Sequence, residues 1–152
     1  MKNIIIILSV LLTYNISANA AFLNVTIDYN KSSNCKFDKK ILKNELYDYK
    51  EFSADQIKGN KDKKINIKAI KSQELKIFGL SEFFTDAPNG VIYDTQIIKN
   101  NTILLRVLTN DEKYSESVFI NKSTGEMLHE ITTNIDTPNQ GKQISFFTCD
   151  MS

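Results

Sequence analysis

The chain has 152 residues and a formal net charge of +1, with 19 Lys and Arg residues against 18 Asp and Glu residues. This length suits one domain, and a composition of 41% hydrophobic and 24% charged residues excludes a largely disordered chain. The near-neutral charge argues against a dedicated DNA- or RNA-binding protein. Two cysteines and one histidine are too few for a multi-ligand zinc module. We therefore expect no metal, no cofactor and no nucleic-acid partner.

The N-terminus has the three parts of a secretory signal peptide. Lys2 is a short basic region, Ile4–Leu12 is an apolar run interrupted by one serine, and Ala18-Asn19-Ala20 is an A-x-A cleavage site. The apolar run is about half of the roughly 20 residues that a membrane-spanning helix requires. We predict that residues 1–20 are a cleaved signal and that residues 21–152 form one exported domain that does not span the membrane, located in the periplasm or outside the cell.

Charge is unevenly distributed along the predicted mature chain. Lys31–Lys76 contains 13 lysines and 7 acidic residues, whereas Ile77–Ser152 contains 5 basic and 10 acidic residues. Lysine, asparagine and isoleucine are abundant and Arg106 is the sole arginine, a usage typical of a low-GC bacterial genome. The basic region is either one side of a solvated dipolar surface or a face for an anionic partner, such as lipid headgroups or an envelope polymer.

Cys35 and Cys149 are the only cysteines. In the oxidising compartment that an exported protein enters, an even pair of cysteines normally forms a disulfide. Neither belongs to a C-x-x-C motif or has a neighbouring histidine that would lower the pKa of its thiol. We therefore predict a structural bridge that closes a loop of more than a hundred residues, which the chain-entropy model values at roughly 4 to 5 kcal/mol.

The first half of the mature chain predicts a mixture of elements. Phe22–Tyr29 alternates apolar and polar residues as a strand does. Asp38–Lys50 has apolar residues at helical spacing, with its first residue as a plausible N-cap, and predicts a helix. Lys64–Ile70 and Leu75–Leu80 predict two short strands, and Ser81–Gly90 predicts a loop because it contains Pro and Asn-Gly turn signals.

The second half predicts a series of strands joined by short polar turns. The predicted strands are Val91–Ile98, Thr102–Leu108, Tyr114–Asn121, Glu126–Ile135 and Gln143–Asp150. Together with the first half, they indicate an α+β, β-rich fold, with an antiparallel meander of about five strands, N-terminal strands and one helix. Such a sheet either remains a half-open layer covered by the helix or curls into a small barrel.

The segment Ser117–Ile131 (SVFINKSTGEMLHEI), followed by Gly141–Cys149 (GKQISFFTC), resembles small β-barrel periplasmic proteins, including lysozyme-inhibitor-like ones. In those proteins a late hairpin turns at Thr-Gly and the last strand ends in a disulfide cysteine. The resemblance covers about the last 35 residues and supports the architecture. An inhibitor activity does not carry over, because the lysine-rich first half departs from those compact barrels.

His129 is the only histidine, so any Ser-His or Cys-His catalysis must pass through it. It shares strand parity with Met127 and Ile131, which predicts a place on the apolar face, either packed in the core or lining a pocket. Arg106 shares a face with Leu104 and Leu108 in the most apolar strand. Its guanidinium either binds an anionic ligand or pairs across the sheet with an acid, for which Glu116 and Glu130 are the candidates.

Phe83 and Phe84 lie side by side in a predicted loop. Either both fill the core, or one fills it while the other reaches solvent as an anchor for a partner. The acidic residues that fall in or near turns could also supply a carboxylate pair for glycosidic hydrolysis. These are Asp86, Asp94, Asp111 and Glu112.

Three functions remain open from the sequence. The leading hypothesis is an exported, non-enzymatic binding or inhibitor-type module of the bacterial cell envelope, whose partner is a protein or an anionic envelope component. Its candidate binding residues are Phe83, Phe84, Arg106 and His129. The alternatives are a secreted hydrolase or effector enzyme that uses His129 or a carboxylate pair, and a carrier of a small ligand.

Overall fold

The computed structural model describes residues 30–59, 62–71, 74–85, 90–98 and 101–151. The predicted signal peptide and the predicted strand Phe22–Tyr29 lie outside the described residues. The described residues contain nine strands, which form one antiparallel sheet. They are β1 (Asn30–Lys43), β2 (Lys50–Ser53), β3 (Lys63–Lys71), β4 (Glu74–Phe78), β5 (Val91–Ile98), β6 (Thr102–Thr109), β7 (Tyr114–Asn121), β8 (Glu126–Thr133) and β9 (Gly141–Cys149). Within the described residues the only helical element is the 3-10 turn Glu82–Phe84.

The strands follow the order β4-β3-β1-β9-β8-β7-β6-β5, and β2 pairs with the second half of β1. β5 to β9 form the predicted five-strand antiparallel meander, which is confirmed. The 14-residue β1 joins this meander to the rest, because its first part pairs with β3 and its later part with β9. The sheet curls into a half-barrel, so it has a concave face and a convex face.

The helix predicted over Asp38–Lys50 is wrong. β1 continues to Lys43, and the chain then bends before β2 begins at Lys50. The helical spacing is accidental, because its first two apolar residues lie on opposite faces of β1, as neighbours in any strand do, and its last two lie in the bend that follows. A β-bulge between Phe37 and Lys39 adds one residue to the strand and reverses its inside-outside alternation.

The core lies on the concave face. Its fully buried side chains alternate along the strands with residues on the convex face, as period-two strands require. They include Ile65, Ile67, Leu75, Ile77, Phe84, Ile103, Leu105, Val107, Val118, Ile120 and Met127. No helix among the described residues covers the half-barrel, and its apolar residues pack against one another on the inner side of its curvature.

The predicted disulfide joins Cys35 of β1 to Cys149 of β9, and the two residues are direct cross-strand partners. Next to it, Gly125 has a φ of 75° in the turn between β7 and β8. A Cβ atom there would lie 2.3 Å from the carbonyl oxygen of Cys149. Glycine therefore lets this turn pack against the bridged end of β9.

Candidate functional site

The bulge in β1 places a lysine on the concave face. Before the bulge, Cys35 and Phe37 face the core. After it, Lys40 lies opposite Ser145 of β9, and Ser145 lies opposite His129 of β8. The backbone N–H of Phe37 donates a hydrogen bond to Asp62 Oδ1 at 3.0 Å, which holds the chain at the bulge. Lys40, Ser145 and His129 therefore form one row across three adjacent strands.

His129 forms a buried pair with Glu116 of β7. His129 Nε2 lies 3.3 Å from Glu116 Oε2, and both side chains are at least nine-tenths buried. The hydroxyl of Tyr114 donates a second hydrogen bond to Glu116. The alternation of β8 correctly predicted the face on which His129 lies. It could not predict Glu116 as the partner, because the pairing of β7 with β8 sets the register that brings the two side chains together.

The pKa of Glu116 reflects two opposing effects. Burial raises it, but hydrogen bonds from His129, Tyr114 and Ser81, together with the charge of His129, outweigh burial and leave this pKa below its ordinary value. Burial and the hydrogen bond to Glu116 raise the pKa of Tyr114, so the phenol keeps its proton and remains a donor. The carboxylate is therefore held in its charged form inside the sheet.

The two adjacent phenylalanines separate at the 3-10 turn. Ser81 caps this turn, since its hydroxyl accepts a hydrogen bond from the N–H of Phe83. Phe84 is fully buried, and its ring centroid lies 6.1 Å from that of His129. Phe83 is partly buried, 5.3 Å from the ring centroid of Tyr114. Both phenylalanines thus support the His129–Glu116 pair, Phe84 from the core and Phe83 through Tyr114.

A cavity of about 410 Å³ opens beside this pair on the concave face. Its walls combine four apolar side chains with seven polar or charged ones. The lining residues are Phe37, Lys40, Gly59, Lys63, Leu80, Ser81, Glu116, His129, Ile131, Gln143, Ser145 and Phe147. We call this the concave cavity.

Arg106 lies on the other side of the sheet. It is exposed and lies opposite Ser117 in the β6–β7 register. Glu116 faces the core, so the predicted pair of Arg106 with Glu116 is wrong. Glu130 does share the convex face, and its carboxylate lies 3.0 Å from Lys142 Nζ. Arg106, Glu130 and Lys142 line a separate convex groove of about 440 Å³. The structure therefore does not bring Arg106 and His129 together.

Of the candidate carboxylates, Asp111 and Glu112 do not line the concave cavity. Asp111 and Glu112 lie in the turn between β6 and β7, where Asp111 accepts hydrogen bonds from the Thr109 hydroxyl and the Lys113 N–H. Asp86 lies outside the described residues, as does the side chain of Asp94. In the part of the chain that the structure describes, no group of three or more His, Cys, Asp or Glu side chains is arranged to hold a metal ion.

Comparison with known proteins finds no matching family model, no similar curated protein and no similar solved structure. The described residues contain no helical segment with the length and hydropathy of a membrane span. The disulfide is typical of proteins that fold in an oxidising compartment. The geometry of the site is therefore the basis on which its function is inferred.

The lowered pKa of Glu116 predicts a pH-dependent contribution to stability. A carboxylate with a depressed native pKa stabilises the fold above its unfolded pKa, and this contribution is lost as the pH falls through the native value. We expect Glu116→Gln to lower the free energy of unfolding at pH 6 by about 1–3 kcal/mol, because it breaks a buried charged hydrogen-bond network. The difference from the wild type should shrink as the pH falls below the ordinary carboxyl value of about 4.5.

Urea unfolding followed by circular dichroism at pH 6, 4 and 3 measures this effect. Glu45→Gln, at an exposed position in the chain between β1 and β2, is the matched control and should follow the wild type at each pH. A constant deficit for Glu116→Gln from pH 6 to pH 3 would show that the charge of Glu116 does not stabilise the fold.

Proposed function

We propose that the protein is an exported, non-enzymatic binding module of the bacterial cell envelope and that the concave cavity is its ligand site. The observation that carries this proposal is a cavity of about 410 Å³ beside a buried, hydrogen-bonded His129–Glu116 pair. Small-molecule sites are typically concave, about 300–1,000 Å³ in volume and lined by apolar walls with a few placed polar groups. The concave cavity has this size, and its lining is more polar than that of a typical site, with seven polar or charged side chains beside four apolar ones.

The arrangement of the polar groups favours binding over catalysis. Glu116 accepts hydrogen bonds from His129, Tyr114 and Ser81, so its oxygens are already engaged within the protein. Phe84 packs against the ring of His129 and restricts its orientation. Such a fixed wall preorganises a binding site at low entropic cost. Export is supported by the signal-like N-terminus and by the disulfide.

Native mass spectrometry of the mature chain purified from a periplasm tests the proposal. We expect a bound small molecule that Leu80→Trp displaces, because Leu80 lines the concave cavity and a larger side chain there fills it. Leu46→Trp, at a position that is 82% exposed, is the control and should retain the ligand. If native spectra show only apo protein and a metabolite library produces no thermal shift, the proposal fails. If Leu80→Trp and Leu46→Trp instead capture a partner protein equally well, the binding surface lies outside the concave cavity.

A second candidate is a hydrolase, favoured by one observation. Ser145 lies directly opposite His129 in the β8–β9 register, and His129 is bonded to Glu116, so a serine, a histidine and a carboxylate follow one another on the concave face. This is the order of groups in an activated-nucleophile site. In such an enzyme, Ser145→Ala would reduce ester hydrolysis at least a thousandfold.

Hydrolysis of p-nitrophenyl esters by the wild type, Ser145→Ala and Ser115→Ala separates the two candidates. Ser115 is also a buried serine but lines the convex groove, so its replacement controls for the loss of a hydroxyl. Turnover that Ser145→Ala alone abolishes would favour the hydrolase. Background rates for all three proteins would leave the binding module as the better account.

A further inference from the structure

The convex groove lies on the face of the sheet opposite the concave cavity, and different residues line it. Its volume of about 440 Å³ is within the range of small-molecule sites, and seven of its nine lining side chains are polar or charged. We propose that this groove is a second binding site and that its ligand is an uncharged saccharide. The proposal goes beyond the proposed function, which concerns the concave cavity.

The floor of the groove is a regular array of polar side chains. The pairing of β6 to β9 places them in two rows that run across the strands. Arg106, Ser117 and Glu130 form one row, and Ser115, Thr132 and Lys142 form the other. Neighbouring side chains are about 5 Å apart across the strands and about 7 Å apart along them. A sugar carries several hydroxyls on one compact ring, so it can contact both rows at once.

Two hydroxyls of this floor are not used by the fold. Ser115 is only 7% exposed, and no group of the described residues forms a hydrogen bond with its hydroxyl or with that of Ser117. Thr132 is 6% exposed, and its hydroxyl reaches Glu130 Oε1 at 3.4 Å, which is long for a hydrogen bond between oxygens. A buried hydroxyl without a partner destabilises the fold, and a ligand that bonds to it removes this cost. The floor therefore favours a ligand that is rich in hydrogen-bonding groups.

The charged side chains of the groove are already engaged within the protein. Lys142 Nζ lies 3.0 Å from Glu130 Oε1, and Arg106 also interacts within the protein. The groove therefore requires no counter-charge from a ligand. Its side chains include hydrogen-bond donors and acceptors, and a hydroxyl group is itself both a donor and an acceptor. This match favours a neutral saccharide over a carboxylate or a phosphate.

One wall of the groove is preformed by the segment that joins β8 to β9. The N–H of Ile135 in this segment donates a hydrogen bond to the carbonyl oxygen of Lys113 at 3.2 Å, which fixes the segment to the β6–β7 turn. The side-chain oxygen of Gln140 accepts a hydrogen bond from the N–H of Asp136 at 3.4 Å, and its NH₂ group can still donate to a ligand. Ile135 and Leu104 supply apolar surface for the C–H face of a sugar ring. A wall that is already ordered lowers the entropic cost of binding.

A glycan array probed with the labelled mature protein tests the inference, and NMR titration with the best glycan locates the site. We expect binding to neutral glycans, with amide shifts concentrated in β7, β8 and the segment between β8 and β9. The affinity should change less than twofold between low and high ionic strength, because the ligand forms no ion pair that salt would screen. Cyclohexanol, a ring with a single hydroxyl, should bind at least tenfold more weakly than the best glycan.

The test variant combines Ser115→Ala with Ser117→Ala. It should weaken binding of the best glycan at least tenfold without lowering the melting temperature, because neither hydroxyl bonds to a described group of the fold. Ser32→Ala, at an exposed position of β1 outside the groove, is the matched control and should change neither quantity. Leu80→Trp, in the concave cavity, should also leave glycan binding unchanged, so the two proposals can fail separately.

Several results would overturn the saccharide inference. They are the absence of glycan binding, binding of sulfated or sialylated glycans alone, and an equal loss of affinity in Ser32→Ala and the double variant. Amide shifts that map to the concave cavity would also overturn it, and would support that cavity as the ligand site instead. Binding of a neutral glycan that only the double variant weakens supports the convex groove as a saccharide site.

Discussion

Replacing Cys35 and Cys149 together by alanine is expected to lower the free energy of unfolding by about 4 kcal/mol. The two cysteines are 114 positions apart in the chain, so the bridge restricts a very long loop in the unfolded state. Both residues are buried next to the core, and the loss of two sulfur atoms adds a packing cost of the same sign.

Urea unfolding of the oxidised wild type, the wild type with reductant and the double alanine variant measures this effect. The reduced wild type retains both sulfur atoms, so its difference from the oxidised protein isolates the cross-link, and its difference from the variant isolates packing. A reduced protein within about 1 kcal/mol of the oxidised one would contradict the expectation that the bridge restricts the unfolded chain.

Leu105→Ala is expected to cost about 2–5 kcal/mol, the range for removing a large side chain from a packed core. Leu105 is fully buried on the concave face, in the row that continues through Val118 to His129. A hole at this position leaves Val118 without its neighbour and weakens the support of the His129 ring.

The adjacent residue supplies a matched control for this substitution. Leu104 has the same side chain one position earlier in β6, but it lies on the convex face and is only half-buried. Leu104→Ala should therefore cost much less than Leu105→Ala, because little packed volume is lost there. Equal losses in the two variants, measured by thermal and urea unfolding, would contradict the assignment of inner and outer faces.

The meander was predictable from sequence because its signals are local. Each strand from Val91 to Cys149 is a short strand-like run, and the turns between the strands carry their own asparagine and glycine residues. The first half was less predictable, since the bulge near Phe37 depends on pairing between the two ends of the chain. A residue inserted into the alternation cannot be recognised without its partner strand.

The same difference between local signals and signals that depend on a partner strand holds for the candidate site. Parity within β8 predicted that His129 faces inward, and it does so. Predicting the partner of Arg106 requires knowing which residues of β7 share its face. The register places Ser117 on that face and turns Glu116 toward His129. Lys40 was missed because only the bulge turns it into the concave cavity. Faces within one strand are therefore predictable, whereas contacts across strands depend on register.

The cross-link between β1 and β9 also determines what proteolysis can do. Every peptide bond between Cys35 and Cys149 lies inside the covalent ring that the disulfide closes. One protease cut in the bend at Asn44–Tyr49, where Leu46 is highly exposed, opens that ring but releases no fragment. On a denaturing gel the nicked protein should migrate as one species without reductant and as two with it.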